Sequence, residues 1–211
     1  MWPIAWIPLP CKGCVIKKFY LILVIFSSLL GFAPAGYLDD VGFTQLEAEL
    51  GVLLPDGASI EVSQVEASAS TSAPVYFPNT NDTQFIGKTF NDESGDSLAT
   101  SDHATTAGKY FYGNAWSLAR GVQTVGVHYA DTWLNEQLSP GFFNAAPSTE
   151  SARVQNHSWI GSSATAFEVL MRLDYMVHRD GVVCVVGLNN GSEKPQPDLL
   201  GQSYNTIAVG M

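Results

Sequence analysis

Strand-like and helix-like stretches alternate along most of this chain, and the alternation restricts its fold more than any other feature. Strands are predicted over residues 60–65, 122–129, 154–159, 182–186 and 206–209, and helices over 104–112, 130–138 and 164–179. Such alternation produces a parallel sheet, because each helix returns the chain to the end of the sheet where the next strand begins. We expect an α/β fold of three layers, a parallel sheet with helices on both faces.

Two further segments are predicted from their composition. A helix is expected from Asp39 or Asp40 to Gly51, because the apolar residues between them recur at helical spacing. Residues 67–99 are rich in Ser, Thr, Asn, Asp and Gly, and this stretch is predicted to be a long surface loop.

The first 35 residues are organised like a leader. Lys12, Lys17 and Lys18 precede the apolar run 19–30, and small residues follow it up to Ala35. This order is typical of a secretory signal, and the run is shorter than the ~20 apolar residues that span a bilayer. We expect residues 1–35 to be a signal peptide or an uncleaved N-terminal anchor, with a core helix as the remaining alternative. The protein is then secreted or at the cell surface, and it meets the membrane only through an uncleaved leader.

The charge balance limits the partners of the expected domain, residues 36–211. The domain holds all twenty acidic residues and seven of the ten basic ones, so its formal net charge is −13, against −10 for the whole chain. Binding to nucleic acid without sequence preference needs a basic face that displaces counterions, so no nucleic acid partner is expected. Cys184 lies in the apolar stretch 182–186 and is predicted to be buried.

Three polar residues lie where α/β proteins bind ligands, at the carboxyl ends of parallel strands. Glu66 follows the first strand, His103 precedes the helix 104–112, and Asn189 lies in the turn after the strand 182–186. A carboxylate can orient an imidazole, the imidazole can transfer a proton, and an amide can donate to an oxyanion. Each residue also has a purely structural explanation: a loop cap, a helix cap on the surface, or Asn-Gly turn chemistry.

Six segments in this order resemble those of the subtilisin-like serine peptidases (subtilases). They are V-E at 65–66, H-A-T-T-A-G at 103–108, S-L-A-R-G-V at 117–122, V-Q-N-H-S-W at 154–159, L-N-N-G at 188–191 and S-Y-N-T-I-A-V-G at 203–210. The family counterparts are a strand that ends in the acid, then H-G-T-H-V-A-G, G-x-A-P, V-I-N-M-S-L, A-G-N-x-G and Y-P-x-V-I-A-V-G. The resemblance extends from about residue 57 to residue 211.

The resemblance implies a catalytic role for each strand-end residue. His103 would be the general base, Glu66 would orient it, and Asn189 would donate to the oxyanion. Ser158, Trp159 and Ile160 match the strand that binds an extended peptide or protein substrate by β-augmentation. The implied activity is peptide-bond hydrolysis by an exported serine endopeptidase.

Two departures from the family pattern affect this expectation. Glu66 stands where the family has Asp, so the pair is either a working variant with a longer carboxylate or a mark of lost activity. No G-T-S segment occurs in the 211 residues, whereas the family nucleophile lies in G-T-S-x-A-x-P. We therefore expect an incomplete, C-terminally truncated subtilase-like domain, inactive as it stands.

No cofactor is expected to be required, and no metal ligand is assigned. Residues 79–82 and 91–96 offer oxygen ligands that suit a structural Ca²⁺ ion, which is common in the family. His128 and His157 fit no zinc spacing and are expected to be packed within strands. The oligomeric state stays open.

Three classes of function remain open at the level of sequence. The first is the exported endopeptidase without its serine. The second is a non-catalytic relative that binds peptides or proteins at the cell surface, and Glu66 and Leu188, which replaces a family glycine, favour it. The third is an unrelated secreted α/β binding or structural domain.

Overall fold

Six parallel strands form one sheet at the centre of the fold. A computed structural model describes residues 36–95, 97–141, 144–189 and 199–210, so the predicted leader lies outside the described residues. The strands are β1 Glu61–Glu66, β2 Thr89–Asp92, β3 Thr124–Tyr129, β4 Val154–His157, β5 Val183–Gly187 and β6 Thr206–Val209. Their order in the sheet is β2-β3-β1-β4-β5-β6, and every neighbouring pair is parallel. The predicted α/β class and parallel sheet are therefore confirmed.

The chain divides after Gly42 into two units, and the first is described only from Gly36 on. That unit contains the short helix α1, Tyr37–Asp40. The helices of the second unit are α2 Phe43–Leu50, α3 Asp102–Tyr112, α4 Ala130–Thr132, which continues as a π-helical turn over Trp133–Leu138, and α5 Ala166–Asp180. Short 3₁₀ turns occupy Gly51–Leu53, Thr83–Phe85 and Leu199–Gln202.

Each of the two long helices has one clear cap, at the start of α3 and at the end of α5. At the start of α3, the Ser101 hydroxyl accepts a hydrogen bond from the backbone N–H of Ala104 at 3.2 Å. Helix α5 ends at Gly181, whose φ of 64° is the left-handed conformation that glycine adopts without strain. These caps set the residues at which each helix meets the sheet.

The sheet separates two hydrophobic clusters, so helices cover both of its faces. Val62, Val125 and Val127 pack with Tyr112 of α3 on one side. On the other side, Val65 of β1 belongs to a cluster with residues of α5 and of the turn after α4, including Leu173, Met176 and Trp133. Alternation along β1 thus directs Val62, Gln64 and Glu66 toward α3, and Ser63 and Val65 toward α5.

The strand order reverses about β1. The chain places β2 and β3 on one side of β1 and then crosses to β4, β5 and β6 on the other. A reversal of this kind opens a crevice at the carboxyl ends of the central strands, where ligands of α/β proteins bind. Glu66 ends β1 and Ser158 follows β4, so both lie at this crevice.

Around β5, the described residues cover one face of the sheet and leave the opposite face exposed. Along β5, Cys184 and Val186 are 1% exposed and pack toward α5, whereas Val183, the first residue of the strand, points to the other face and is 46% exposed. On β6, Ile207 and Val209 are 55% and 53% exposed. The α3 side of β5 and β6 therefore presents an apolar surface.

Two sequence-based expectations were wrong. The helix predicted from Asp39 or Asp40 to Gly51 ends as predicted, at Leu50, but it begins only at Phe43, because Gly42 has a φ of 73°, and its Leu46 and Leu50 are exposed. The predicted loop 67–99 contains strand β2 and a 3₁₀ turn, and buries Tyr76 and Phe85 completely or nearly so. The bulky aromatic residues of this stretch fill the α3-side cluster, so packing outweighs its polar composition.

The thiol of Cys184 lies inside this core. Burial raises its pKa to about 12, so it stays protonated and unreactive in the folded chain. Among the helices of the described residues, none has the length and hydropathy needed to cross a membrane.

Candidate active site

A buried carboxylate and an exposed imidazole form the centre of the candidate site. Glu66, the last residue of β1, is fully buried, and His103 is the second residue of α3. The Nδ1 atom of His103 lies 2.7 Å from Oε2 of Glu66. Because a carboxylate only accepts hydrogen bonds, this contact places a proton on Nδ1. The imidazole side chain is 60% exposed, and its Nε2 atom has no hydrogen-bond partner among the described residues.

Gln64 donates a hydrogen bond to the Glu66 carboxylate, and Tyr112 in turn fixes Gln64. The Gln64 side chain lies on the same face of β1 as Glu66, and its Nε2 atom donates to Oε1 of Glu66 at 2.7 Å and to the Ala104 carbonyl at 2.9 Å. The Tyr112 hydroxyl donates to Oε1 of Gln64 at 2.5 Å. One amide therefore ties the strand that carries the acid to the helix that carries the histidine.

The electrostatics of the pair favour the protonated imidazole. The hydrogen bond to Glu66 raises the pKa of His103 above its ordinary value, burial opposes this rise, and the charge of Glu66 adds to it. Burial and the charge of Glu66 also raise the pKa of Tyr112 far above its ordinary value, so its hydroxyl remains a donor. When His103 is neutral with Nδ1 protonated, the lone pair of Nε2 can accept a proton from a group in front of it.

The predicted substrate-binding and oxyanion residues share a cleft with His103. This cleft has a volume of about 440 Å³ and is lined by His103, Asn189, Ser158, Trp159 and Ile160. Their placement follows from the parallel sheet, because Asn189 comes after β5 and the other three come after its neighbour β4. The structure thus brings all six predicted site residues together, Glu66 through its bond to His103. Asn190 and Gly191 of the predicted motif lie outside the described residues.

The remaining wall of the cleft is mostly apolar or neutral. Asn156, Val185, Leu188, Val209 and Gly210 contribute to it, and His103 is the one titratable side chain among its lining residues. Leu188 and Gly210 pack closely in this wall: a Cβ at Gly210 would lie 3.1 Å from Cβ of Leu188.

Sequence reasoning missed Gln64 and Tyr112. Gln64 stands two residues before Glu66, so a strand assignment already places both on one face, and a buried amide there signals a partner. Tyr112 has no such signal, because its contact with Gln64 spans 48 positions.

In each of the two loops considered for calcium, an aspartate bonds to other groups of the protein. Asp82 accepts from the Gln84 N–H at 3.0 Å and pairs with Lys109 Nζ at 2.8 Å. Asp92 accepts from the Gly95 N–H at 2.9 Å and from the Tyr76 hydroxyl. In the described parts of the chain, no group of three or more His, Cys, Asp or Glu side chains is arranged to hold a metal ion. Asp96, at the end of the second loop, lies outside them.

Neither a protein-family model nor a curated protein matches this sequence.

Proposed function

We propose that this chain is the acid–histidine–oxyanion part of a subtilisin-like serine endopeptidase. The observation that carries the proposal is the 2.7 Å contact from a fully buried Glu66 to Nδ1 of His103, an exposed residue that lines the cleft. In the proposed reaction His103 takes the proton of a serine hydroxyl and returns it to the leaving amine. Glu66 fixes the tautomer, and Asn189 donates to the oxyanion.

The nucleophile of this proposal is a serine that is not among the 211 residues. A helix that carried such a serine and packed beside α3 would cover Val183, Ile207 and Val209, which are exposed in the described part of the sheet. Burial of this apolar surface would stabilise the helix against the sheet and place its N-terminus near the cleft. The proposal includes export of the protein, and it requires no cofactor, with Ca²⁺ as a possible structural ion.

The test uses a fluorophosphonate, a reagent that labels activated serines. It is applied to the gene product translated with any coding sequence beyond the codon for Met211. The parent protein is expected to be labelled and to cleave peptides. His103→Ala should lower the labelling rate by about 10²–10⁴-fold, because the serine loses its general base.

The matched control is His178→Ala, which removes another exposed histidine far along the chain, in α5. This variant should be labelled at the parent rate. Labelling that survives His103→Ala, or that falls equally in both variants, would contradict the proposed mechanism.

Peptide binding without hydrolysis is the second candidate function. Leu188, which lines the cleft at a position where subtilases have glycine, favours it, because a bulkier side chain there can hold a peptide strand away from the geometry of attack. Failure of labelling together with saturable binding of extended peptides, lost in Ile160→Asp, would support this function instead.

A further inference from the structure

Four side chains form a hydrogen-bonded line along the α5 face of the sheet, from Glu150, which precedes β4, to the wall of the cleft. Gln155 Nε2 donates to Glu150 Oε2 at 2.6 Å, Gln155 Oε1 contacts His157 Nε2 at 2.9 Å, and Trp159 Nε1 contacts His157 Nδ1 at 3.3 Å. Gln155, His157 and Trp159 are spaced by two residues, so they follow one face of β4 and its extension. The line ends at Trp159, which borders the cleft.

The direction of every bond in this line follows from its first member. In its ionised form Glu150 only accepts, so Gln155 turns its NH₂ group toward Glu150 and its carbonyl oxygen toward His157. His157 must then carry its proton on Nε2, which leaves the lone pair of Nδ1 to accept from the indole N–H of Trp159.

The surroundings of the line keep it in this state. Gln155 is fully buried and His157 is 1% exposed, and burial lowers the pKa of His157 to about 3, so the ring is neutral at physiological pH. The ring also packs edge-to-face against Trp133, with centroids 4.5 Å apart. Glu150 is anchored by the Ala152 N–H, which donates to its other oxygen, Oε1, at 2.8 Å.

We propose that His157 is a positioning residue that holds the indole of Trp159 in the cleft wall, and that Glu150, acting through Gln155, selects the tautomer that makes this possible. The consequence for substrate recognition rests on the proposed function, because it requires the cleft to bind peptide. The positioning itself does not depend on catalysis.

The variant Glu150→Gln separates this role from simple packing, because it changes one atom and keeps the shape. The new amide keeps its carbonyl toward the Ala152 N–H and presents NH₂ to Gln155, which must rotate to offer its oxygen. Gln155 then donates to Nε2 of His157, the ring proton moves to Nδ1, and two donors, Nδ1–H and the indole N–H, face each other. The bond to Trp159 is lost.

The experiment records ¹⁵N spectra of the histidine rings and the indole groups of this chain, which has four histidines and five tryptophans. His157→Phe and Trp159→Phe identify the two signals. The parent chain is expected to show the Nε2–H tautomer for His157 and a protected indole N–H for Trp159. Glu150→Gln should show the Nδ1–H tautomer and an indole N–H that exchanges about tenfold faster, the equivalent of one hydrogen bond.

Glu93→Gln is the matched control. Glu93 lines the same polar pocket as Glu150, and its charge contributes to raising the pKa of Glu150. It is not a member of the hydrogen-bonded line. This variant should keep the parent tautomer and the parent indole exchange. An unchanged His157 tautomer in folded Glu150→Gln would overturn the inference. Because the readout needs no serine, failed fluorophosphonate labelling with a switched tautomer would contradict only the proposed function.

Discussion

At the scale of single residues, the buried charge of Glu66 governs the histidine in front of it. We predict that Glu66→Gln lowers the pKa of His103, because the hydrogen bond and the charge that raise it are both weakened. Titration of the His103 ring by NMR measures the change, and the exposed His178 serves as the internal reference. An unchanged pKa for His103 would show that the 2.7 Å contact is not formed in solution.

The same substitution carries a pH dependence of stability. The folded pKa of His103 lies above its ordinary value of about 6.5, so the pair stabilises the fold fully below that value and loses this contribution as the pH rises through the raised pKa. The excess free energy of unfolding of the parent over Glu66→Gln should therefore be larger at pH 5 than at pH 9 in urea denaturation.

Residue-level prediction from sequence succeeds where a residue sits at a recognisable strand end or helix start. Glu66 and His103 fall at such positions, and the structure places them in contact. Gln64 could not be predicted in this way, because its position depends on the hydrogen bond from Tyr112 at the end of α3. A local sequence pattern does not encode a contact between side chains of different elements.

At the scale of elements, Gly108 leaves room on α3 for the rings of Tyr112, in the same helix, and of Phe85, in the 3₁₀ turn Thr83–Phe85. A Cβ at this position would lie 2.7 Å from Cζ of Tyr112 and 3.1 Å from Cζ of Phe85. We predict that Gly108→Ala destabilises the fold by about 1–3 kcal/mol, since overpacking outweighs the gain of about 1 kcal/mol in helix propensity. Urea denaturation measures the loss, and the displaced Tyr112 should also shift the His103 titration.

Thr106→Ala is the control for this prediction. Thr106 is exposed in the same helix, so its replacement should raise the free energy of unfolding slightly. Equal stability of Gly108→Ala and Thr106→Ala would mean that the rings of Tyr112 and Phe85 can move aside without cost.

Element boundaries were predicted well where the apolar pattern is strong, and strand β2, which is polar, was missed. The predicted strand 206–209 coincides with β6, and α5 differs from its predicted bounds by one or two residues. Strand β2 was missed because three of its four residues are exposed, so an edge strand has the composition of a loop.

At the scale of the whole molecule, the two faces of β5 differ in what covers them. We predict that Val186→Ala costs about 2–3 kcal/mol of stability, because Val186 is 1% exposed in the α5-side cluster. Val183→Ala, on the 46% exposed face of the same strand, should cost less than about 1 kcal/mol in this chain. Urea denaturation of the two variants measures the difference. Equal costs would show that another surface buries Val183 in solution.

The global arrangement was predictable because it follows from few rules. Alternating strands and helices imply a parallel sheet, and a parallel sheet gathers its strand ends at one edge, so Glu66, Ser158 and Asn189 had to lie near one another. The strand order was not predictable, because it depends on which crossover packs on which face.

The single cysteine of the folded domain gives the molecule an internal reporter of its own opening. Cys184 lies in β5 with a protonated, 1% exposed thiol that packs toward α5, so an alkylating reagent reaches it only when α5 and this part of the sheet move apart. With Cys11 and Cys14 replaced by serine, the alkylation rate divided by that of the unfolded chain gives the free energy of this local opening. The local stability of the part of the sheet that carries the cleft can therefore be measured without a substrate.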